Sequence, residues 1–474
     1  MKIYNSLTRT KEDFIPIRKD RVGIYVCGPT VYDEPHIGHA RSAYIFDVIN
    51  RYFVYNGYKV TFVRNVTDVD DKIIDKARKE FKGEDLNDAV RKVSTKYLDA
   101  YHKDMELLGI GKPDKEPKAT EYIKKMTKFI DSLIERGCAY EAGGDVYFDI
   151  KKAKDYGKLS NQNLEKMEIG ARPVRSATSN GTRIASGEKK RDPLDFALWK
   201  KAKEGEPSWE SPWGAGRPGW HIECSVMSSD ILGSEFDIHG GGIDLIFPHH
   251  ENEIAQSEAA GEKFARCWIH NGLLTINNEK MAKSLGNFIS IKDFMLKYKD
   301  ADYLKLLFLN THYRHPVDYT EERMQEMKAQ KERFIIMLDK IDRMKDKGSG
   351  GRIKELEEFK ARFEEAMNDD FNMPLALAHL FEMVNYTNKN IDDAKVALQS
   401  EKILLELSGV FGLDLRKIVS EDLPVVKIET LIKERDEARA KKDYKRSDDI
   451  RKKLSSMGVI LEDTKEGTVW RKEL

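Results

Sequence analysis

The chain has 474 residues, of which 81 are lysine or arginine and 81 are aspartate or glutamate, so its formal net charge is zero. This balance excludes a global basic field, and any binding of nucleic acid must therefore use a local patch. The sequence contains no run of about 18 apolar residues, so we expect no transmembrane helix, and the N-terminus lacks the apolar segment of a signal peptide. The four cysteines, Cys27, Cys138, Cys224 and Cys267, are too far apart to indicate a disulfide framework, so we expect a cytoplasmic location.

The first predicted elements form a strand, a helix and a second strand. The run "VGIYVCG" is rich in β-formers and ends at Gly28-Pro29, which predicts a strand followed by a turn. The next segment, "HIGHARSAYIFDVINRYFVYNGY", carries apolar residues at helical spacing and stops at Gly57, and "KVTFVRNV" predicts the next strand. Such a βαβ unit indicates an α/β fold with a parallel sheet.

The middle of the chain predicts an insertion into this sheet. Residues 87–140 are mostly helical in pattern, and "GGDVYFDI" then returns to a strand pattern. The polar stretch 171–193 has almost no apolar content, so we expect a mobile surface loop there. A second α/β segment follows over residues 209–287, which indicates that the sheet is split into two halves.

The C-terminal part is predicted to be helical almost throughout from Ile291 onward. The stretch "KDKGSGGR" at 345–352 is typical of a flexible linker, and "EDLPVV" at 421–426 marks another boundary. The last fifty residues pair an amphipathic helical pattern with a short β-like end.

Cys27 and the two histidines after it lie where a phosphate site is expected. Ligands of parallel sheets bind beyond the carboxyl ends of strands, where Cys27 would lie. His36 and His39 would fall in or near the first turn of the following helix, whose free N–H groups attract phosphate. Gly38 has no side chain and lets a base or ribose approach the backbone. Capping or packing histidines are the alternative interpretation of this segment.

A second polar string, "NNEKMAKSLGN", spans residues 277–287 and contains Lys280 and Lys283. Lysine is a mobile point charge suited to a transferring phosphate. Taken alone, this string is also typical of a solvated basic loop. Combined with the histidine pair of the other half-sheet, it predicts two sides of one ATP site.

A third set of residues has the composition of a metal site. Cys224 lies in "GWHIECS", and His249 and Glu253 are four residues apart, on one face of a helix if Pro248 begins it. Together with Cys27 they offer thiolate, imidazole and carboxylate ligands, all of which zinc accepts. The spacing is not that of a zinc finger, so buried cysteines beside a charged helix stay an open alternative.

These strings together resemble one family. "HIGH" at 36–39 and "KMAKS" at 280–284 resemble the two signature motifs of class I aminoacyl-tRNA synthetases. Five separated motifs are similar to those of cysteinyl-tRNA synthetases, and the similarity extends over nearly the whole chain to "GVILEDTKEGTVWR"; they are "YVCGPTVYDEPHIGHAR", "RNVTDVDDKI", "GWHIECSVM", "FDIHGGGIDLIFPHHENEIAQSEA" and "KMAKSLGN". The sequence departs from the family pattern at Ala282, where serine is common, and in the longer loop 171–193.

The resemblance implies a Rossmann-type catalytic domain split by a connective insertion, then a helical bundle and a small C-terminal anticodon-binding domain. We therefore divide the chain into six segments: 1–115, the first half of the catalytic domain; 116–208, the insertion; 209–290, the second half with the zinc ligands and lysine loop; 291–345, a stem-contact helical region; 352–420, the bundle; and 424–474, the anticodon-binding domain.

The resemblance also implies activation of L-cysteine with ATP and Mg²⁺ to cysteinyl adenylate, followed by transfer to the 3′ end of tRNA(Cys). We expect the protein to be a monomer. Motif by motif, it implies four sets of site residues. The zinc ligands, one ion per chain, are Cys27, Cys224, His249 and Glu253. The ATP-binding residues are His36, Gly38, His39, Lys280 and Lys283. The amino-acid pocket is lined by Thr67, Trp220, His239 and Asp244. Trp470 could stack on an anticodon base.

The tail adds a local charge bias, because Lys433–Lys453 contains ten basic residues against six acidic ones. Without the resemblance this bias is typical of a solvated helix face; with it, contact with tRNA phosphates is favoured.

Two alternatives differ in what the chain does with cysteine or RNA. One is an adenylate-forming cysteine ligase that uses a non-tRNA amine acceptor, but about fifty residues follow Pro424 where such an enzyme is expected to lack a tail. The other is a zinc-stabilised RNA-binding protein with a degenerate site, against which the intact histidine and lysine motifs argue.

Overall fold

The computed structural model describes residues 1–162, 190–344, 352–416, 425–456, 458–464 and 467–472. Most of the predicted polar loop 171–193 and of the predicted linker 345–352 lies outside these ranges, as does the first part of the predicted boundary 421–426.

Fifteen strands and fourteen α-helices lie in the described ranges. The strands are β1 Lys2–Asn5, β2 Thr10–Asp13, β3 Arg21–Val26, β4 Lys59–Arg64, β5 Ala139–Ala142, β6 Asp145–Phe148, β7 Phe196–Lys201, β8 Gly216–Pro218, β9 Glu235–Gly242, β10 Phe264–Asn271, β11 Leu274–Ile276, β12 Glu279–Lys280, β13 Val317–Tyr319, β14 Val459–Thr464 and β15 Gly467–Lys472. The helices are α1 Ile37–Tyr55, α2 Asp71–Glu80, α3 Leu86–Leu107, α4 Ile123–Glu135, α5 Trp220–Leu232, α6 Glu251–Ala259, α7 Ile291–Tyr298, α8 Ala301–Leu309, α9 Glu321–Asp342, α10 Lys354–Asn368, α11 Met373–Lys389, α12 Ala394–Val410, α13 Val425–Ala440 and α14 Tyr444–Ser456.

The central sheet has four parallel strands in the order β10-β9-β3-β4. Strand β3 lies in the middle with Ile24, Tyr25 and Val26 fully buried, as expected for a strand covered on both faces. Helix α1 connects β3 to β4, so the predicted βαβ unit is confirmed. Because all four strands run in the same direction, their carboxyl ends meet at one edge of the sheet.

The chain between β4 and α5 forms the insertion that splits the sheet. Helices α2 and α3 pack as a hairpin, and α4 leads into an antiparallel sheet of β5 to β8. This second sheet has a core of its own, with Phe148, Leu198 and Trp199 buried against Met126 and Ile130 of α4. The last strand of this sheet leads directly into α5, which carries Cys224.

Helix α1 connects the sheet to the C-terminal helices. Its Tyr44 hydroxyl donates to the carbonyl of Phe411 at 2.8 Å, and its Tyr52 hydroxyl donates to the carbonyl of Glu364 at 3.0 Å. One continuous hydrophobic core therefore runs from β3 through α1 into helices α8 to α12. The helical region thus helps to support the parallel sheet.

The tail has a separate small core. Helices α13 and α14 and the antiparallel pair β14-β15 bury a cluster of apolar side chains: Ile428, Leu431, Ile432, Ile450, Leu454 and Val459. Arg435 is buried within this unit and pairs with both oxygens of Asp463, at 2.9 and 3.0 Å. This unit therefore has its own hydrophobic and ionic contacts.

The predicted fold class, a parallel α/β sheet split by an insertion and followed by helices and a small C-terminal unit, is confirmed. The six segment boundaries stay predictions. No helix in the described ranges combines the length and the hydropathy needed to cross a membrane.

Candidate functional site

The candidate site lies at the carboxyl edge of the parallel sheet. Strand β3 ends at Val26, so Cys27 is the first residue beyond it, and its N–H donates to the carbonyl of Gly240 at 3.1 Å. Cys224 comes from α5 on the other side of the insertion. His249 lies in a wide helical turn, Ile246–His250, that runs directly into α6, where Glu253 lies on the first turn.

The four residues expected to hold a metal converge. Cys27 Sγ is 3.5 Å from Cys224 Sγ and 3.5 Å from Glu253 Oε1. Cys224 Sγ is 3.6 Å from His249 Nε2, which is 2.9 Å from Glu253 Oε1. One ligand atom from each residue lies within 4.8 Å of all the others.

This donor set fits a divalent ion. Metal–ligand bonds of about 2.0–2.3 Å in a tetrahedral site separate ligand atoms by roughly 3.3–3.8 Å. The three contacts that involve sulfur, at 3.5, 3.5 and 3.6 Å, match that spacing. Two sulfur atoms, one imidazole and one carboxylate suit a borderline-soft ion better than Mg²⁺ or Ca²⁺, which prefer oxygen.

Electrostatics around Glu253 favour its ionised form although it is fully buried. Burial alone would raise its pKa, but His239 and His249 hold the pKa of this carboxyl well below its usual range. In turn, Glu253 raises the pKa of His249 to about 10 against the opposing effect of burial.

The two thiols differ in their tendency to ionise. Burial opposes ionisation of both, and the pKa of Cys27 is raised by burial and by its hydrogen bond with Cys224. The Cys27 thiol and His249 stabilise a thiolate at Cys224, whose pKa is lowered to about 6 despite burial. A site of this charge distribution attracts a cation.

Three histidines that no sequence pattern singled out surround this cluster. His221 Nδ1 is 2.9 Å from His249 Nδ1, His250 Nε2 is 3.3 Å from Cys27 Sγ, and His250 Nδ1 is 2.8 Å from His270 Nε2. His250 also belongs to a second possible metal-binding group with Cys27, His239 and Glu253. The adjacent pair "HH" at 249–250 was a signal for His250, whereas nothing in the sequence indicates His270.

The four residues expected to line an amino-acid pocket lie around the same edge. Trp220 stacks on His249 with ring centroids 4.1 Å apart, and His239 Nε2 is 2.8 Å from Glu253 Oε2. The Thr67 hydroxyl donates to the buried Glu223 at 2.6 Å. Asp244 is exposed on the turn that follows β9, and no described contact ties it to the cysteines.

The histidines of the first signature begin helix α1. His36 is the N-cap: its Nδ1 accepts the Gly38 N–H at 3.1 Å, and the His36 N–H donates to His39 Nδ1 at 3.3 Å. Both Nδ1 atoms act as acceptors, so the ring N–H of each neutral imidazole is at Nε2. Burial, then His39 and Lys283, lower the pKa of His36 to about 2, which keeps it neutral.

The absence of a side chain at Gly38 is required by its neighbours. A Cβ at this position would lie 2.9 Å from the His36 ring and 3.4 Å from Met281 Cε. Gly38 thus lets the histidine N-cap and the lysine loop approach each other.

The lysine loop lies beside the histidines, as predicted. The Phe288 ring contacts both motifs, with its centroid 5.4 Å from the His36 ring and 4.7 Å from Lys283 Nζ. Lys280 is exposed on the short strand β12, and no described contact joins it to the histidines. The structure therefore brings Lys283, but not Lys280, into contact with the first signature region.

The remaining predicted residues lie away from this cluster. Trp470 on β15 is opposite Leu461 and packs partly against the core of the tail. Among the described residues, Cys138 and Cys267 belong to no group that could hold a metal.

Three family models match the chain in succession. The model described as "tRNA synthetases class I (C) catalytic domain" matches residues 13–329. The model described as "DALR domain" matches residues 362–416, and the one described as "Cysteinyl-tRNA ligase anticodon binding domain" matches residues 423–471.

Curated relatives match over their full length. A cysteine–tRNA ligase of Finegoldia magna is 46% identical and one of Coxiella burnetii is 47% identical, each with 100% of both chains covered. A cysteine–tRNA ligase of Geobacter metallireducens is 47% identical, with 99% of both chains covered.

Solved structures of other synthetases share the fold. Methionyl-tRNA synthetase of Mycobacterium tuberculosis superposes with a TM-score of 0.57 at 15% identity, covering 82% of this chain and 90% of that one. LeuRS of Agrobacterium radiobacter K84 gives a TM-score of 0.58 at 12% identity, covering 85% and 86%. At this identity the likeness shows the fold alone.

We predict that the purified protein carries one metal ion per chain and that Cys224→Ala loses most of it, because this change removes the thiol with the lowered pKa. Elemental analysis of both proteins measures this. Cys138→Ala is the matched control and should keep full occupancy. Full occupancy in Cys224→Ala would contradict the assignment.

Proposed function

Since this chain belongs to the cysteine–tRNA ligase family of class I aminoacyl-tRNA synthetases, we propose that it joins L-cysteine to tRNA(Cys) at the cost of ATP. The cysteine carboxylate attacks the α-phosphate of ATP, the bond to pyrophosphate breaks, and cysteinyl adenylate forms. A ribose hydroxyl at the 3′ end of the tRNA then takes the cysteinyl group, and AMP leaves.

One observation carries the choice of cysteine: two cysteines, a histidine and a glutamate converge beside the two signature motifs of an adenylate-forming site. We propose that Cys27, Cys224, His249 and Glu253 hold one zinc ion per chain. When bound, zinc supplies a soft Lewis acid that prefers a thiolate to a hydroxyl group.

This preference matters because serine is nearly isosteric with cysteine. Shape discrimination between near-isosteres supplies only about 1–3 kcal/mol. Binding of the side chain to zinc distinguishes the two amino acids by a property in which they differ strongly. A thiol of pKa about 8.5 ionises to a metal ligand far more readily than an aliphatic hydroxyl does.

ATP is proposed to bind with Mg²⁺ between the first turn of α1 and the lysine loop, through His36, Gly38, His39, Lys280 and Lys283. The neutral rings of His36 and His39 offer Nε2–H donors beside the free N–H groups of the helix N-terminus. Lys283 adds a positive charge from the other side. These groups align the phosphates and stabilise the charge that develops on them, so no protein nucleophile is required.

The amino acid is proposed to lie among Thr67, Trp220, His239 and Asp244. The ring of Trp220, stacked on His249, supplies an apolar wall next to the proposed metal. Asp244 is an exposed carboxylate that suits the substrate ammonium group.

The tail is proposed to grip the anticodon region of the tRNA. Lys441, Lys442 and Lys445 are exposed around the turn between α13 and α14, which favours phosphate contact. Trp470 is partly packed, so stacking on a base would use its remaining surface.

A monomeric state and a cytoplasmic location also stay predictions.

The alternative hypothesis is a cysteine ligase with a non-tRNA amine acceptor. The match of residues 423–471 to an anticodon-binding domain supports tRNA as the acceptor over that alternative.

We expect cysteine-dependent ATP–pyrophosphate exchange and attachment of cysteine to tRNA(Cys). Exchange assays with each of the twenty amino acids, followed by charging of purified tRNA(Cys), measure the two steps separately. Serine should support exchange at least about 100-fold less efficiently than cysteine. Shape alone discriminates weakly between the two amino acids, but serine also cannot provide a thiolate to the metal. Exchange without charging would instead indicate the non-tRNA acceptor.

We also expect the combined variant Lys441→Gln, Lys442→Gln and Lys445→Gln to raise the KM for tRNA several-fold while leaving exchange unchanged. Each lost phosphate contact should reduce the slope of log KM against log salt by up to about one. Glu437→Gln, which removes an exposed acidic side chain from α13 close to this turn, is the control and should not weaken charging. An unchanged KM and salt slope in the lysine variant would show that this turn does not contact tRNA.

A further inference from the structure

Two ion pairs connect the segment before the first signature with the lysine loop and the helix after it. Lys283 Nζ lies 2.5 Å from Asp33 Oδ2, and Lys292 Nζ lies 2.9 Å from Glu34 Oε2. Neither carboxylate is among the residues assigned above to ATP, metal or amino acid. The partner of Asp33 is nevertheless the lysine proposed to meet the phosphates.

The backbone beside these pairs is fixed. His36 and Ser290 form an antiparallel bridge, in which the Ile37 N–H donates to the Ile289 carbonyl at 3.2 Å and the Ile291 N–H donates to the Pro35 carbonyl at 3.3 Å. The loop is also braced internally, since Asn287 Oδ1 accepts the Ala282 N–H at 2.8 Å. Lys283 therefore lies on an anchored loop. The group that its side chain pairs with depends on which anion lies opposite, and in this structure that anion is Asp33.

Asp33 has a second lysine partner. Lys76 Nζ of α2 lies 3.4 Å from Asp33 Oδ1, on the carboxylate oxygen that Lys283 does not use. Burial would raise the pKa of Asp33, but the hydrogen bonds that its carboxylate accepts from Lys283 and from the Glu34 N–H outweigh the effect of burial and lower that pKa. The carboxylate thus keeps one ammonium partner if Lys283 moves away.

We infer that Asp33 is a positioning residue that competes with the triphosphate of ATP for Lys283. The lysine exchanges a carboxylate for phosphate oxygens when ATP binds, and Lys76 stays with Asp33. This inference rests on the proposed function, because it takes Lys283 as an ATP-binding residue.

The competition weakens ATP binding by a limited amount. The Lys283 side chain is 55% exposed and that of Asp33 is 24% exposed, so solvent screens the pair. We expect Asp33→Asn to tighten ATP binding two- to fivefold, where fivefold corresponds to about 1 kcal/mol. The pair also holds Lys283 Nζ beside the Phe288 ring, which contacts His36, so the lysine lies at the proposed ATP site before ATP binds.

The test is a double-mutant cycle read by equilibrium dialysis of Mg-ATP against the full-length protein without cysteine. The proteins are the natural chain, Asp33→Asn, Lys283→Ala and the double variant. Asp33→Asn should tighten binding in the natural background and have no effect in the Lys283→Ala background. Removal of a negative charge through the general field alone would tighten both equally.

Glu34→Gln is the matched control, because it removes the neighbouring carboxylate, whose partner is Lys292 rather than Lys283. It should change ATP binding less than 1.5-fold. Equal tightening by Glu34→Gln, equal tightening in both backgrounds, or no tightening by Asp33→Asn would each overturn the inference. The proposed function is tested apart from this, since cysteine-dependent exchange by the natural chain does not depend on the sign of the Asp33 effect.

Discussion

A fully buried carboxylate, Glu253, imposes the strictest constraint on this fold. An isolated ionised carboxylate is very costly in an apolar interior unless charged or hydrogen-bonding partners surround it. His239 and His249 lie 2.8 and 2.9 Å from its two oxygens, and Cys27 Sγ lies 3.5 Å from one of them. Each partner comes from a different element, so β3, β9 and the turn before α6 must meet at one place.

The sheet order meets this requirement. Strand β9 lies directly beside β3, with His239 opposite Tyr25, so Cys27 and His239 reach the same edge. The insertion then returns the chain through β8 into α5, which brings Cys224 to the same point. The cluster that could hold a metal thus depends on the split of the sheet. Cys224 lies near Cys27 because the insertion leads the chain through β8 back to the carboxyl edge of the sheet.

The region proposed to bind the phosphates of ATP is built from different groups. It combines neutral histidines, a helix N-terminus and an exposed lysine on a loop that backbone hydrogen bonds anchor. Near the cysteines the groups are buried and tightly packed around Glu253. Buried ligands suit the proposed recognition of a small side chain, whereas more exposed donors suit the proposed binding of phosphates.

Local pattern was enough to predict the βαβ unit, the helix N-terminus at His36 and the shared face of His249 and Glu253, because each depends on residues close in sequence. Convergence across the chain was different. Cys27 and Cys224 are 197 positions apart and Asp33 and Lys283 are 250 apart.

Only the strand order and the return path of the insertion set these long-range distances, and periodicity contains neither. Residue chemistry suggested the cysteine pair as one of two interpretations, and the resemblance to known synthetases favoured it. The resemblance did not supply His221, His270 or the partner of Lys283, because those contacts depend on how particular side chains pack in this structure.

Recognition of the substrate by its sulfur is the role proposed for the cysteine–histidine–glutamate cluster. The most direct test loads the metal-free protein with cobalt(II) and follows the sulfur-to-cobalt charge-transfer absorption during titration with amino acids. A thiolate added to the metal strengthens this absorption, whereas a hydroxyl group does not. The account predicts a saturable increase with L-cysteine and none with L-serine; an unchanged spectrum with cysteine, or an equal change with serine, would contradict it.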